Sequence, residues 1–385
     1  MGHNLKWNKE LKMGKRLISI LILVLCMTIF TSCKGAEIGK DKITPTPEAI
    51  NSPEATATPE PTDAPEEEDD EEEVVFESIN PFENHGALKV EGTKLVDSHG
   101  NPFQLMGMST HGIAWFPQFV NYDGFKTLRD DWNTNTIRIA MYTDENGGYC
   151  TPGANKEKLK DLVKAGVDYA NELGMYVIID WHVLNDEDPN KYKEEAKEFF
   201  EEMSSLYKDR GNVIYEICNE PCKSATWEGI KSYADEVIPI IRANDEDAII
   251  IVGTPNWSQD IDKAAKSPLD YENIMYALHF YAATHTDWLR QRLETCVEAG
   301  LPIMVSEFGM CDASGDGGND FVQAIKWLEL LDEHDIGYIC WNLANKREAS
   351  SVIASSTKKV SDWERSELSE SGKWIRKWFR SKREL

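Results

Sequence analysis

Eight short apolar runs alternate with helical patterns through most of this chain, and this alternation constrains the fold more than any other feature. The runs are rich in β-branched and aromatic residues and end at polar or turn residues, which predicts buried strands. They cover residues 104–108, 136–142, 176–182, 213–218, 248–253, 274–280, 302–307 and 337–342. The helical patterns cover residues 156–173, 192–207, 224–243, 286–299, 320–334 and 364–380.

Eight strands, each followed by a helix or helical turn, predict an α/β fold of the (β/α)8 TIM-barrel type. A short β-hairpin at residues 87–97 is expected to cap the bottom of this barrel. A doubly wound open sheet is the alternative, but no glycine-rich phosphate loop follows any of the strands.

The amino-terminal part has the composition of a targeting segment. Lys15 and Arg16 precede an apolar run at residues 17–30, and small residues lie directly before Cys33. This order is typical of a signal peptide, and the apolar run is short for a membrane span. We therefore expect residues 1–33 to form a signal peptide whose Cys33 becomes lipidated; plain secretion is the alternative.

Residues 34–78 consist mainly of proline, threonine, alanine and acidic residues, which predicts a disordered linker before a folded domain at residues 79–385. The net charge of -26 makes nucleic acids and anionic lipid headgroups poor partners, whereas a neutral substrate is not excluded. We expect a monomer that contacts a membrane only through its lipid.

Six further cysteines, beyond Cys26 and Cys33, show no paired zinc-type spacing and are interpreted as buried thiols. A disulfide from Cys150 to a neighbouring loop stays open as an alternative. His111, His182 and His279 are a conceivable zinc set, but their spacing matches no zinc motif. Serine-hydrolase chemistry is disfavoured because the chain lacks the G-x-S-x-G sequence. No metal or cofactor is expected.

Two buried runs end in a glutamate. Residues 213–218 lead to Asn219, Glu220 and Pro221, and the run at 302–307 ends at Glu307 before Gly309. In a (β/α)8 barrel the carboxyl ends of the strands surround one pocket, so the two carboxylates are expected to face each other there. Glu216 interrupts its apolar run and therefore needs a partner or a polar layer.

Polar and aromatic residues recur at this end of all eight predicted strands, where an aliphatic layer would indicate only stability. They are His111, Trp115, Arg138, Tyr142, Trp181, His182, Asn219, Glu220, Trp257, His279, Tyr281, Glu307, Trp341, Asn342, Lys346 and Glu348. Two carboxylates in an aromatic cleft are the arrangement that glycoside hydrolysis requires, one as the acid and the other as an ionised group at the sugar carbon.

At these residues the chain resembles glycoside hydrolase family 5, and most closely its bacterial endo-β-1,4-glucanase branch. The similarity extends over residues 86–379. It is carried by residues 97–102 (DSHGNP), 107–112 (GMSTHG), 138–142 (RIAMY), 219–221 (NEP), 279–281 (HFY), 306–309 (SEFG) and 341–346 (WNLANK).

The resemblance implies a retaining mechanism in which Glu307 is the nucleophile and Glu220 the general acid/base. It implies supporting roles for Arg138, His182, Asn219, His279 and Tyr281, and a cis peptide bond after Trp341. The sugar-binding positions that it implies are His111, Trp115, Tyr142, Trp257, Ala313, Trp341, Lys346 and Glu348.

The resemblance also implies a β-glucan polysaccharide or oligosaccharide as substrate. The signal-peptide pattern before Cys33, in contrast, predicts a secreted or cell-surface location, with the lipid anchored at the outer face of the bacterial membrane. A β-mannanase, a xyloglucanase or a mixed-linkage glucanase on the same scaffold are alternatives, because neither cleft width nor the recognition of the sugar 2-hydroxyl can be read from the sequence. An alternative of another class is a glycan-binding surface lipoprotein without activity; the presence of both Glu220 and Glu307 argues against it.

Overall fold

The computed structural model of the chain describes residues 80–382. The predicted signal peptide at residues 1–33, the lipidation site Cys33 and the linker at residues 34–78 all lie outside the described residues.

Eight parallel strands form a closed barrel in the described part of the chain, which confirms the predicted (β/α)8 fold. Its strands are β3 (Met106–Thr110), β4 (Thr136–Tyr142), β5 (Tyr176–His182), β6 (Val213–Glu216), β7 (Ile249–Val252), β8 (Ile274–Tyr281), β9 (Ile303–Gly309) and β10 (Tyr338–Leu343). They pair in chain order, and β10 closes the ring against β3. Each predicted run corresponds to one strand; the first begins two residues later than predicted, where pairing with β4 starts at Gly107.

The first helix of the described chain precedes all the strands, and the other helices follow barrel strands around the outside. The helices, in chain order, are α1 (Pro81–His85), α2 (Tyr122–Asp130), α3 (Lys156–Leu173), α4 (Lys193–Tyr207), α5 (Trp227–Asn244), α6 (Ile261–Lys266), α7 (Asp287–Glu298), α8 (Phe321–Glu333) and α9 (Glu370–Ser381). The sequence pattern does not predict α1, α2 or α6, which are short. It also starts α9 too early, because Leu368 is extended and bridges Ile353.

The predicted hairpin consists of β1 (Lys89–Glu91) and β2 (Lys94–Val96), which pair antiparallel. Leu88, Leu95 and Phe103 pack with inward side chains from the amino-terminal ends of the barrel strands, such as Tyr176 and Ile214. The hairpin region therefore closes the bottom of the barrel with apolar surface, as expected, and leaves the carboxyl ends of the strands open.

Alternation along the strands separates the core from the polar interior. On β5, Val177, Ile179 and Trp181 point outward into the layer between barrel and helices, whereas Asp180 and His182 point inward. Trp181 is thus a buried packing residue, and of the two strand-end candidates on β5 it is His182 that reaches the barrel mouth.

A β-bulge interrupts this alternation on β9. Ala277 and His279 of β8 pair with Met304 and Glu307, so that β9 has one residue more than its neighbour over this segment. The pairing with β10 shows the same extra residue between Val305 and Phe308. Ser306 and Glu307 consequently both face the interior, which strict alternation would forbid.

All six cysteines in the described part of the chain are free thiols, and five of them are buried, which confirms the thiol interpretation. Cys150, the residue for which a disulfide stayed open, is one of the free ones. Within residues 80–382, no helix combines the length and apolar character that crossing a membrane requires.

Candidate active site

The two glutamates that end predicted strands lie opposite each other at the barrel mouth. Glu220 follows β6 and is fixed by a hydrogen bond from its backbone N–H to the carbonyl of Val183, 3.0 Å away. Glu307 lies within β9. One carboxylate oxygen of each, together with a ring nitrogen of His279, lie within 4.8 Å of one another. This separation fits the roughly 5–5.5 Å of a retaining pair and is below the roughly 6.5–9.5 Å that inversion needs.

The side chain of Arg138 lies beneath this pair and binds three carboxylate groups. Its guanidinium is fully buried and donates to Glu216 Oε2 at 2.7 Å and to Glu307 Oε2 at 3.3 Å. It also lies 2.9 Å from Asp180 Oδ2. Burial lowers the pKa of Arg138, but the Asp180, Glu216 and Glu307 carboxylates outweigh it and raise the pKa. The arginine therefore remains charged and binds Glu307 through a buried ion pair.

Glu307 receives a second hydrogen bond from the other side. The Tyr281 hydroxyl donates to Glu307 Oε1 at 2.7 Å. Burial, followed by the charge of Glu307, raises the pKa of Tyr281 well above its ordinary value, so the phenol keeps its proton. Each oxygen of Glu307 therefore has one donor, which fixes the carboxylate in one orientation.

His279 connects Glu220 to the buried polar layer. Its Nδ1 lies 2.9 Å from Glu220 Oε1, and its Nε2 lies 2.9 Å from Ser306 Oγ. Ser306 in turn donates to Glu216 Oε1 at 2.6 Å. Burial lowers the pKa of His279, but hydrogen bonding toward Glu216 and Glu220 outweighs it and raises the pKa to about 9. His279 is therefore an imidazolium at neutral pH and donates from both nitrogens.

Glu216 has the partners that its position in an apolar run requires. Burial raises the pKa of Glu216, but the charge of Arg138 outweighs it and lowers the pKa to about 2. Glu216 is thus a permanent anion between Arg138 and Ser306. It supports the site from below and does not line the cleft.

His182 and Asn219 form a second hydrogen-bonded chain. His182 Nδ1 lies 2.5 Å from Asp180 Oδ2, and Asn219 Nδ2 lies 3.2 Å from His182 Nε2. Burial, followed by the charge of Arg138, lowers the pKa of His182 to about 3, so its ring is neutral and accepts from the amide of Asn219. Arg138 donates to Asn219 Oδ1 at 2.7 Å, which fixes the orientation of the amide.

A cleft of about 710 Å³ opens above these residues. The predicted site residues among its walls are His111, Trp115, Tyr142, His182, Glu220, Trp257, His279, Tyr281, Glu307, Ala313, Trp341, Lys346 and Glu348. Arg138 and Asn219 are fully buried and do not line it, so their predicted roles would be exerted through Glu307, His182 and the loop that carries Glu220. The family resemblance also implies that Asn219 contacts the 2-hydroxyl of the reacting sugar, and this contact stays a prediction.

Aromatic rings form much of the cleft wall. The Trp341 ring stacks on His182 at 5.2 Å between centroids, and the peptide bond that follows it is cis, as predicted. Tyr142 lies 4.0 Å from the His182 ring and 4.7 Å from that of Trp115. Trp115 is 38% exposed and donates from Nε1 to the Asn146 carbonyl at 2.8 Å. Such partly exposed, fixed rings suit the apolar faces of sugars.

Polar side chains occupy the wall near β10. Lys346 Nζ lies 2.5 Å from Glu348 Oε2, and Asn342 donates to Glu348 Oε1 at 3.0 Å. His111 Nε2 lies 3.7 Å from the same oxygen of Glu348. Burial lowers the pKa of His111 to about 4, so this ring is neutral. The group offers charged and neutral hydrogen-bonding partners to sugar hydroxyls.

Trp257 is presented by an unusual turn after β7. Asn256, Trp257 and Ser258 all have positive φ, between 54° and 60°, a left-handed conformation that costs non-glycine residues free energy. Hydrogen bonds connect this turn to the loop that carries Glu220. The backbone N–H of Trp257 donates to the Pro221 carbonyl at 3.0 Å, and Ser258 Oγ donates to the Asn219 carbonyl at 2.7 Å. Trp257 remains 37% exposed at the cleft.

Sequence reasoning missed several lining residues, namely Glu145, Leu184, Asn256, Gln259, His285, Ser314, Gly315 and Ser350. Most lie in loops several residues beyond a strand end, where the barrel rule gives no position. Glu145 carries the strongest signal, because burial raises its pKa to about 7 and its Oε2 is buried without a hydrogen-bond partner. Sequence reasoning also missed Asp180, although an acidic residue within an apolar strand is a signal that could have identified it.

The alternative zinc set of His111, His182 and His279, which its spacing disfavoured, is not brought together as one ligand group. Among residues 80–382, the side chains that could jointly hold an ion are instead Glu220, His279 and Glu307. His279 has both nitrogens hydrogen-bonded and a pKa of about 9, so it has no lone pair for a cation at neutral pH. The geometry favours proton transfer and nucleophilic attack by carboxylates.

Comparison with known proteins agrees with this geometry. The family described as "Cellulase (glycosyl hydrolase family 5)" matches residues 96–347. Endoglucanase A of Butyrivibrio fibrisolvens is 49% identical over 293 residues, 76% of this chain and 68% of that protein. The endoglucanase of Clostridium saccharobutylicum is also 49% identical, over 76% of this chain and 64% of that protein.

Solved structures show the same similarity. The catalytic domain of Thermobifida fusca endoglucanase Cel5A, in complex with cellotetraose, matches with a TM-score of 0.75 at 39% identity. The match covers 78% of this chain and 100% of that domain. By contrast, the chain spans only about two thirds of the length of the two curated relatives. The extent of these matches shows that the chain belongs to the cellulase family, glycosyl hydrolase family 5.

Proposed function

We propose that this chain is a retaining endo-β-1,4-glucanase that hydrolyses internal bonds of cellulose or related β-glucans. The observation that carries the proposal is the pair of Glu220 and Glu307 oxygens within 4.8 Å at one cleft. That separation admits one sugar carbon between the two side chains and no additional water. The names of the relatives and the cellotetraose in the matched structure support a β-1,4-glucan as substrate.

In the first step, Glu307 attacks the anomeric carbon while Glu220 gives its proton to the departing glycosidic oxygen. The bond between that carbon and oxygen breaks, and a bond from the carbon to a Glu307 oxygen forms. Arg138 and Tyr281 hold the attacking carboxylate in one orientation through its two oxygens. Such prior positioning lowers the entropic part of the barrier.

In the second step, Glu220 acts as a base. Its carboxylate takes a proton from water, the water oxygen attacks the anomeric carbon, and Glu307 leaves as a carboxylate. Between the two steps Glu220 is negatively charged, and the protonated ring of His279 at 2.9 Å stabilises that charge. Two inversions at the same carbon give retention of configuration.

Release of reducing sugar from carboxymethyl cellulose, mannan, xyloglucan and a mixed-linkage glucan tests this proposal when the four are assayed side by side. The Glu307→Gln variant serves as the blank, because it keeps the size and shape of the side chain without the nucleophilic carboxylate. We expect carboxymethyl cellulose to be cleaved fastest by the wild type and not by the variant. Faster cleavage of mannan or xyloglucan would assign that polysaccharide as the substrate instead. Equal activity of the wild type and Glu307→Gln would refute the mechanism.

We also propose that the protein is secreted and held at the outer face of the membrane by lipid on Cys33, with residues 34–78 as a spacer. The support is the order of basic, apolar and small residues before Cys33 and the Pro/Thr/acidic composition after it. A Cys33→Ala variant should move from the membrane pellet to the medium on fractionation. An unchanged distribution would contradict the anchor. Light scattering of residues 79–385 tests the proposed monomer.

A further inference from the structure

Trp288 is an exposed tryptophan outside the cleft, and no role in the proposed reaction accounts for it. It lies in the first turn of α7 and is 45% exposed. Tyrosine and tryptophan are enriched where proteins bind partners or ligands, because their rings combine a large apolar face with a polar group. Among residues 80–382, the other two tryptophans with comparable exposure, Trp115 and Trp257, both line the cleft.

Two contacts make Trp288 continuous with the cleft. Its ring meets the edge of His285, with 5.9 Å between centroids, and His285 lines the cleft. The guanidinium of Arg292, one turn later on α7, lies over the Trp288 ring at 5.5 Å. Arg292 donates to the carbonyl of Gln259, another lining residue, at 2.9 Å. Trp288 therefore lies at the rim beside the wall that carries His285 and Gln259.

The same contacts hold Trp288 in place before any ligand arrives. Arg292 is anchored by hydrogen bonds to the Gln259 carbonyl and to Asp260 Oδ1, the latter at 2.6 Å. One face of the indole is thus covered by a fixed cation, while nearly half of the side chain stays accessible. A ring that is already ordered loses little conformational entropy on binding.

His285 provides a hydrogen-bond donor next to this ring. Its Nδ1 accepts from the Tyr281 backbone N–H at 2.8 Å, and its carbonyl accepts from Trp327 Nε1 at 2.6 Å. Burial lowers the pKa of His285 to about 4, so the ring is neutral and carries its proton on Nε2. An N–H donor beside an exposed aromatic face is suited to a pyranose, which has hydroxyls at its edge and C–H groups on its face.

We propose that Trp288 and His285 form an additional binding site for a β-glucan chain, at the rim beyond the cleft residues already described. The site takes a glucose unit of a long chain, which stacks on the accessible face of Trp288 and accepts a hydrogen bond from His285. This inference rests on the proposed glucanase function and extends it to chain-length preference. Longer glucans gain contacts that short oligosaccharides do not reach.

Hydrolysis of cellohexaose and cellotetraose by the full chain tests the site. The quantity to measure is kcat/KM for cellohexaose divided by kcat/KM for cellotetraose. We expect Trp288→Ala to lower this ratio at least threefold and to weaken retention on swollen cellulose, whereas Trp288→Phe, which keeps a ring, retains most of both. The matched control is Leu206→Ala on α4, which removes a 53% exposed apolar side chain that does not line the cleft.

The outcomes separate this inference from the proposed function. If the wild type cleaves both oligosaccharides and Trp288→Ala has an unchanged ratio and unchanged retention on cellulose, the rim site is refuted and the glucanase assignment stands. If the wild type cleaves neither oligosaccharide, the glucanase assignment fails, and the rim site fails with it. Thermal melting of each variant checks that the fold is intact. We expect unchanged melting because the side chains of Trp288 and Leu206 are exposed.

Discussion

His279 and Glu220 lie 2.9 Å apart, with the ring Nδ1 facing carboxylate Oε1. The other ring nitrogen leads through Ser306 to the buried anion Glu216. The imidazole therefore stands between a permanently charged carboxylate and one that changes its charge during the proposed reaction. Its protonation contributes both to stability and to the proposed base step, and the two contributions can be measured separately.

The raised pKa of His279 predicts a pH-dependent stability. Hydrogen bonds raise this pKa from 6.5 to about 9, so the folded state binds the proton more tightly than the unfolded state. The resulting stabilisation is complete below pH 6.5 and is lost as the pH rises through 9, and it amounts to at most about 3 kcal/mol. Urea unfolding at pH 6, 7.5 and 9 should show this loss, and His279→Gln should lack it. A wild-type free energy of unfolding that rises over this range would contradict the assignment.

Glu220→Ala should separate the two chemical steps. Without its acid, hydrolysis of cellotetraose should slow by about 10²–10⁴-fold. Dinitrophenyl β-cellobioside needs no protonation of its leaving group, so it should still form the glycosyl-enzyme. Because the base is also missing, stopped-flow absorbance should show a burst of dinitrophenolate followed by slow turnover. Glu307→Gln, in contrast, should show no burst; a burst in that variant would reverse the two roles.

Arg138→Lys should destabilise the protein strongly although it keeps the charge. The guanidinium contacts Glu216, Asp180, Glu307 and Asn219 at the same time, and an ammonium group cannot reproduce this fork. Leaving buried carboxylates without their partner typically costs about 3–5 kcal/mol. The free energy of unfolding in urea at pH 7 measures the effect. A surface change such as Lys126→Arg, on the exposed side of α2, is the control, and equal stability of both variants would show that the network is dispensable.

Glu145→Gln should stabilise the protein above neutral pH. Burial raises the pKa of Glu145 from 4.5 to about 7, against a hydrogen bond from the backbone N–H of Asn185. The folded state therefore disfavours the carboxylate, and the wild type loses stability as the pH rises from 4.5 through 7. Since Glu145 lines the cleft, where solvent screens its charge, we expect a gain of only about 1 kcal/mol at pH 8. Melting curves of the wild type and Glu145→Gln at pH 5 and 8 measure this gain. A gain confined to pH 5 would show that burial of the charged carboxylate is not its cause.

The sequence determined the barrel and most of the cleft. Continuous apolar runs and the helical patterns between them specify strands and helices locally, and eight such units have few ways to bury their surfaces other than a closed barrel. Closure then places every strand end at one mouth, so Glu220, His279 and Trp341 could be predicted as neighbours although they lie far apart in the chain. Loop residues such as Gln259 and His285 lacked such a rule, because a loop's path depends on what it packs against.

Only the tertiary structure decided how the polar interior is connected. Alternation along β9 would place Ser306 and Glu307 on opposite faces, and it is the bulge, fixed by pairing with both neighbouring strands, that turns both inward. Likewise, the pairing of Arg138 with Glu216 depends on inward side chains of β4 and β6, which are not adjacent strands, meeting inside the barrel. Local residue patterns determine which segments become strands, whereas register and contact across the barrel depend on the packing of all eight at once.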